Sequence, residues 1–475
     1  MELAKGFAFT FGAWDYSVIA LYFVAIIFIG FRYSKSDKTI DSSKEDFLLA
    51  GRKLTLPMFV TTLVATWYGN IMGVGEFIFN DGIVGWVCFS FTYYVAAFLF
   101  AIFISHKIRD LGIATIPEQI EKSYGRIAGL ISSLIVLIIT IPAVYVLLLG
   151  VIVQMFTGWD LSVAIIVSTI LSFAYIIKGG FKADVVTNSA QFYLMYIGFA
   201  ILLFFSIFSF GSPIEMLSHL PASHLSLKGN YDYQFIIVWF IIAFQTFVDP
   251  GFHQRCAAVT EPSVARRGVL ISILCWVVFD FMTLTTALYA KAYFPQIEQG
   301  IMSYPILSEA VLPTFFKGVF IVSVLAAVMS TLDSYAFISG ATIGNDIIKK
   351  FKRYRNDDSK YWTKIGMIIT GILSIALAIA LPSAVQLIYK TASIAIPGLF
   401  FPLVITYFNK YELSKRNAII IMLSSSLISG IWTYLNIIQF KLDFIIVNIF
   451  VSIEPMIPGI LLSLLFGLLL TKKRK

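Results

Sequence analysis

Charge is what this sequence most conspicuously lacks: Asp, Glu, Lys and Arg make up 13% of the 475 residues, against ~25% in a soluble domain. Cysteine is nearly absent as well. Cys88, Cys256 and Cys275 show no metal-binding or redox spacing, and Cys88 and Cys275 fall inside apolar runs, which makes them ordinary buried thiols. The four histidines, His106, His219, His224 and His253, are scattered. No nucleophile–base pairing or ligand spacing can be read from them, so the chain is not expected to be an enzyme. No stretch is long and polar enough to form a soluble domain, and nothing resembles a selectivity filter or an appended signalling module. No cleavable signal is expected, because the first apolar run, Val18 to Gly30, is followed rather than preceded by its positive charges.

What the chain has is apolar surface. Hydrophobic residues reach 59%, against about 45–50% in soluble proteins. The runs are continuous, which excludes a membrane β-barrel with its alternating pattern. Each spanning helix needs ~20 apolar residues. Runs near 15–33, 54–79, 84–106, 127–156, 161–177, 185–209, 233–252, 268–290, 314–345, 365–381, 383–408, 417–436 and 455–471 therefore predict an all-α polytopic membrane protein of about 13 transmembrane helices. The net charge of +8 belongs to the loops rather than to a nucleic-acid surface. With the amino terminus outside, the cytoplasmic segments carry 29 of the 35 basic residues, among them Arg52, Arg109, Arg255, Arg266 and the terminal Lys472–Lys475. Alternate loops are rich and poor in Lys and Arg, so the positive-inside rule predicts a multi-pass plasma-membrane protein with its carboxyl terminus in the cytoplasm.

Two spans are interrupted in corresponding places. The run after Pro57 contains A-T-W-Y-G-N-I-M-G-V-G, with Gly69, Gly73 and Gly75, and F-V-D-P-G-F-H-Q-R sets Asp249, Pro250 and Gly251 deep in a later span. The segment Gly211 to Asp232 separates the two halves. A matched pair of broken helices points to an inverted-repeat transporter with its site between the halves, the plainer reading being ordinary kinks at Gly and Pro.

A third polar feature lies within Val324–Tyr335, V-L-A-A-V-M-S-T-L-D-S-Y. On a helix Ala327, Ser330, Thr331 and Ser334 share a face, with Asp333 beside them. Such a face must avoid lipid. Carbonyls exposed by a broken helix, together with hydroxyls, suit a hard monovalent cation such as sodium, while Ser and Thr in membrane helices also commonly bond their own backbone.

Several motifs, in order, resemble the sodium:solute symporter family, whose members carry proline, sialic acid, galactose, pantothenate or choline. They are A-G-R-K-L (50–54), A-T-W-Y-G-N-I-M-G-V-G-E (65–76), T-I-P-E-Q-I-E-K-S-Y-G (115–125), K-G-G-F-K-A-D-V-V-T-N-S-A-Q (178–191), Q-R-C-A-A (254–258) and L-A-A-V-M-S-T-L-D-S (325–334). The resemblance implies a LeuT-type fold of five-plus-five inverted helices: a leading helix in 1–45, repeats in 46–210 and 233–408, and two trailing helices in 409–475. It also implies a sodium site on the carbonyls of Ala65, Tyr68 and Ala327 and the hydroxyls of Ser330 and Thr331. A second sodium site, which some members build on an aspartate, would fall on Asn188, Asp333 and Ser334, with an amide where the carboxylate belongs. Asp184, one turn earlier and near the cytoplasmic end, is either a partial substitute for that carboxylate or an interfacial charge, the second being the expectation. For the solute the family pattern selects Trp67, Asn70 and Met72 at the first break, Gln245 and Asp249 at the second, and Lys390 on the tenth core helix.

A charge at mid-membrane costs ~2.5–3.5 kcal/mol on insertion scales, which singles out Asp249 and Lys390 among these. Both readings remain open for them: contact with a zwitterionic or carboxylate solute, or an ion pair, with Lys390 alternatively snorkelling outward. Trp67 and Phe252 also fit simple packing, and Asp280 is an intramembrane carboxylate without an assigned role. The expected activity is sodium-coupled symport of a small polar solute by alternating access, with sodium co-transported, the bilayer as surroundings and no obligate protein partner. Its rivals are a proton-coupled or exchange carrier on the same fold, and a channel or membrane sensor.

Overall fold

A computed structural model of the chain describes residues 9–34, 44–351, 359–380, 384–442 and 453–474. It is helical almost throughout; the strands among the described residues are the two-residue pieces Tyr411–Glu412 and Lys472–Lys473, which pair antiparallel. The principal helices are α1 (Ala13–Ser34), α2 (Leu56–Ala65), α3 (Ile71–Asp81), α4 (Ile83–Asp110), α5 (Arg126–Thr157), α6 (Leu161–Phe210), α7 (Tyr233–Phe247), α8 (Pro250–Ala258) and α9 (Pro262–Tyr293). After these come α10 (Phe316–Ile348), α11 (Ser359–Ala380), α12 (Ala384–Ile405), α13 (Lys415–Leu442) and α14 (Met456–Leu470). Eight helices are individually long and apolar enough to cross a bilayer among the described residues, or nine if the bent pair α7 and α8 is one span. α2, α14 and residues Ala392–Ile405 are shorter apolar helices.

Proline and glycine decide where the chain turns. α2 and α3 flank residues 66–70, which leave the helical path, and α7 meets α8 at a bend of 40° just before Pro250. In α5, Ile141 precedes Pro142 and adopts an extended ψ of 116°, as a residue before proline does. The 50 residues of α6 would run ~75 Å as one rod, far beyond a bilayer core of about 30 Å. The chain instead breaks at Gly180, with φ 62° and ψ −158°. A side chain there would also strike the ring of Phe47. Two spans predicted at 161–177 and 185–209 lie on either side of this glycine.

α10 occupies the middle of the molecule. It packs against α6, α1, α5 and α11, and every residue from Phe320 to Ser334 is buried. Small residues permit these close crossings: a Cβ on Gly198 would meet Ser323, and one on Gly366 would meet the carbonyl of Gly340. α1 is tied to the start of α10 by Asp15, fully buried, whose carboxylate accepts from the backbone N–H of Gly12, Phe315 and Gly318 at 2.8–2.9 Å. α10 therefore holds its polar stripe away from lipid on all sides.

Candidate functional site

The break between α2 and α3 releases carbonyls that a continuous helix would have paired, and α10 receives them. Ser330 donates its hydroxyl to Ala65 O at 2.7 Å and lies 2.9 Å from Ala327 O in its own helix. Thr331 donates to Thr66 O at 2.9 Å. Close approach is possible because residue 69 is glycine: a Cβ there would lie 2.5 Å from Thr331 Cβ and 2.6 Å from the ring of Tyr145. Ala65, Ala327, Ser330 and Thr331 thus converge in a buried junction. Tyr68 sits at its edge, with its carbonyl accepting from Ile71 N–H at 3.0 Å. The junction offers neutral oxygens only, the donor set suited to an alkali cation. The residues fit sodium.

Below this junction lies a charged network. Arg255 and Asp184 are both completely buried and form an ion pair at 3.4 Å. Arg255 also donates to Ser334 at 2.9 Å, to Thr62 at 3.1 and 3.2 Å, and to Gly251 O at 3.3 Å. Ser334 donates to the second Asp184 oxygen at 2.7 Å, and Asn188 donates to Thr62 and Ser334 at 3.2 and 3.1 Å. Two expectations are corrected here. Asp184 is not an interfacial charge, and Arg255 is not a loop cation, because α8 continues past the second break into the protein and delivers the guanidinium to α2, α6 and α10. Asn188 and Ser334 come together; Asp333 does not join them, since its carboxylate accepts from Ser172 at 2.6 Å and from Tyr175 on α6.

The backbone groups at the second break are taken up by side chains of its own helix pair, which in turn bond α10 and Tyr407. Asp249 caps α8 by accepting from Phe252 N–H at 3.0 Å, and its other oxygen accepts from the Tyr335 hydroxyl at 2.6 Å. His253 bonds Phe247 O at 2.9 Å across the bend and Tyr407 at 3.0 Å. Sequence reasoning missed His253; the signal was the break at Asp249–Pro250, which frees the Phe247 carbonyl six residues before it.

Of the solute candidates, Trp67 and Asp249 line one small cavity, with Phe252, Tyr335, Thr66 and Arg255. Trp67 is walled by Tyr93, Trp276 and Phe252, with ring centroids at 5.0, 5.3 and 5.8 Å. Asn70 opens α3, and its Oδ1 is buried without a hydrogen-bond partner among the described residues. Met72 is fully buried in the core beside it, and Gln245 is half-buried at the second bend. Lys390 lies on α12, with its side chain outside the described residues.

The sodium:solute symporter family matches residues 47–423 of this sequence. The chain belongs to that family. Among curated relatives, the symporter is 23% identical to the high-affinity choline transporter 1 of Drosophila melanogaster over 421 residues, covering 83% of this chain and 67% of that one. It is 21% identical to the sodium/pantothenate symporter of Escherichia coli K12 over 456 residues, with 91% of each covered. A substrate-bound, outward-open structure of a Na+-coupled sialic acid symporter matches 98% of this chain and 100% of its own at a TM-score of 0.77 and 17% identity. MhsT in complex with L-phenylalanine matches 88% of this chain and 98% of its own at a TM-score of 0.54 and 13% identity. These likenesses establish the LeuT-type transporter fold, and family membership makes the chain a multi-pass membrane protein with sodium as the co-transported ion.

Proposed function

We propose that this symporter moves a small polar or zwitterionic solute inward with one sodium ion per cycle, the ion lying among the Ala65, Tyr68 and Ala327 carbonyls and the Ser330 and Thr331 hydroxyls. The observation that carries this reading is the junction in which α10 hydroxyls meet the carbonyls freed by the α2–α3 break. Sodium bound there ties α2 to α10, and it favours whichever conformation keeps those oxygens together by its differential affinity for the two states. Loss of the ion to the cytoplasm lets the helices part. The repeats are 46–210 and 233–408, each opening on a broken helix. The alternation of basic loops supports an external amino terminus and a cytoplasmic carboxyl terminus in the plasma membrane.

A single ion suffices energetically. One charge crossing ~100 mV yields ~2.3 kcal/mol, and a tenfold gradient adds ~1.4 kcal/mol. Together these sustain a solute gradient of roughly a few hundredfold. Arg255 argues against a second ion at Asn188 and Ser334, since its guanidinium already contacts Ser334. Two unit charges ~4 Å apart repel by about 4 kcal/mol at an effective dielectric constant of 20. Asp184, whose carboxylate accepts from Ser334 at that position, is already paired with Arg255.

We assign the solute to the region of Trp67, Asp249, Phe252 and Tyr335, whose small cavity must widen to admit it, with Asn70, Met72 and Gln245 at the adjoining breaks and Lys390 on α12. The named solutes of the relatives, choline and pantothenate, support a small metabolite. The test is a thermal-shift screen of the purified protein against metabolites, in sodium and in potassium. A compound that stabilises only in sodium identifies solute and coupling together. A ligand that stabilises equally in both salts, and whose uptake into proteoliposomes follows a pH gradient alone, would replace this reading with a proton-coupled one.

A further inference from the structure

Asp280 is a mid-membrane carboxylate that the transport reading does not use. It sits on α9, 5% exposed, and accepts hydrogen bonds from the Tyr68 hydroxyl at 2.8 Å and from the Tyr94 hydroxyl. A carboxylate at that depth is costly and rarely idle; charge-assisted bonds from two phenols offset part of the cost. The residue it grips is the informative part. Tyr68 belongs to neither half-helix: α2 ends at Ala65 and α3 begins at Ile71. Its backbone N–H reaches Ala65 O only at 3.5 Å, the outer limit of a hydrogen bond. Isolated turns bridge the break, Trp67 N–H to Val64 O at 3.2 Å and Ile71 N–H to Tyr68 O at 3.0 Å, and they leave the carbonyls of Ala65 and Thr66 to partners on other helices.

Two neighbouring helices add to this. α10 holds the carbonyls of Ala65 and Thr66 through Ser330 and Thr331. α9 holds the Tyr68 side chain: the ring lies edge-on against Phe279 at 4.4 Å, and the hydroxyl reaches Asp280, the next residue along. We propose that Asp280 is a positioning residue for sodium, acting through Tyr68 to orient the carbonyls of the α2–α3 break toward Ser330 and Thr331. This rests on the sodium-site reading above. The arrangement is that of an outer-shell partner, which orients a ligand without touching the ion, and loss of such partners typically weakens metal binding by about 10–100-fold.

The test needs no solute. Purified wild type, Tyr68→Phe, Asp280→Asn, the double variant and Ser330→Ala are titrated with sodium chloride replacing potassium chloride at constant ionic strength. Bound radioactive sodium is read directly, and the melting temperature in potassium alone is recorded alongside. Tyr68→Phe keeps the ring on Phe279 and removes only the hydroxyl. It is expected to raise the half-saturating sodium concentration about tenfold, with Asp280→Asn similar and the double variant no worse than the poorer single, since both break one linkage. A lowered melting temperature in potassium with sodium affinity within twofold of wild type would make the contact merely structural and overturn the proposal. So would unchanged affinity in Tyr68→Phe while Ser330→Ala is impaired. Unchanged affinity in Ser330→Ala as well would remove the sodium site itself, and the positioning role with it. Should Asp280→Asn fail to fold, Tyr68→Phe decides alone.

Discussion

Removing the Ser330 hydroxyl is the most direct perturbation of the proposed ion site. The hydroxyl lies 2.7 Å from Ala65 O and 2.9 Å from Ala327 O. Ala327 O is flanked by its own helix, whereas among the described residues Ala65 O at the end of α2 has the long 3.5 Å approach of Tyr68 N–H as its one hydrogen bond besides Ser330. Ser330→Ala therefore takes one oxygen from the ion and the principal donor from a buried carbonyl. A hydrogen-bonding oxygen that faces a charge contributes about 1.5–3 kcal/mol, so loss of this oxygen from the ion should lower sodium affinity by about 10- to 150-fold. Thermal stabilisation by sodium reads this without a solute. At a concentration 100 times the wild-type Kd, sodium stabilises by about 2.7 kcal/mol, and a hundredfold weaker site would leave about 0.4 kcal/mol. Thr331→Val, which keeps volume but loses the bond to Thr66 O, should act in the same direction, while Thr331→Ser should retain sodium binding. Inserted, well-folded Ser330→Ala and Thr331→Val proteins with wild-type sodium titrations would refute the site.

Sodium-dependent uptake should show a Hill coefficient near one; a value approaching two would mean that Arg255 does not exclude a second ion from Ser334 and Asn188. Asp184→Asn leaves the Arg255 guanidinium buried without its carboxylate, a change costing about 3–5 kcal/mol, and should lower the melting temperature sharply. Combining it with Arg255→Gln should restore part of that loss, and a double variant less stable than Asp184→Asn would contradict the pairing argument. Gly366→Ala places a Cβ 2.2 Å from the Gly340 carbonyl, so α11 must move away from α10. Reduced thermal stability of the purified variant is the expected result, and wild-type stability would show that the crossing can relax.

The helical spans, the two breaks and the Ser330–Thr331 stripe were legible in the sequence because each is a local pattern: apolar runs, Pro and Gly deep within them, hydroxyls three and four residues from a small residue. The Arg255–Asp184 pair was not, because its partners lie 71 residues apart and pairing over that distance leaves no periodicity. Arg255 followed the end of an apolar run at 252, which suggested a loop, yet α8 runs on to Ala258 inside the protein. Asp333 is different, for the signal was present. Consecutive helical residues point ~100° apart, so Asp333 and Ser334 meet different parts of α6: the aspartate faces Ser172 and Tyr175 before the break at Gly180, and the serine faces Asp184 and Asn188 after it.

The two breaks differ in how their backbone is satisfied, and this difference separates ion from solute. At the second break Asp249 caps α8 and His253 takes the Phe247 carbonyl, both from within the same interrupted helix. Those two bonds travel with the helix, while the bonds of the same side chains to Tyr335 and Tyr407 must be exchanged when it moves. At the first break the freed carbonyls depend on α10, so any motion that separates α2 from α10 exposes them unless something else compensates. A cation seated among those carbonyls and hydroxyls is such a compensation, and its binding energy enters the conformational equilibrium there and not at the second break. The proposed ion site consists of backbone carbonyls and two small hydroxyls, which few substitutions can change without destroying it. The proposed solute cavity is walled by Trp67, Phe252, Tyr335 and Asp249, side chains whose exchange would reshape it while leaving the junction intact. One frame can therefore keep its coupling ion while its solute varies.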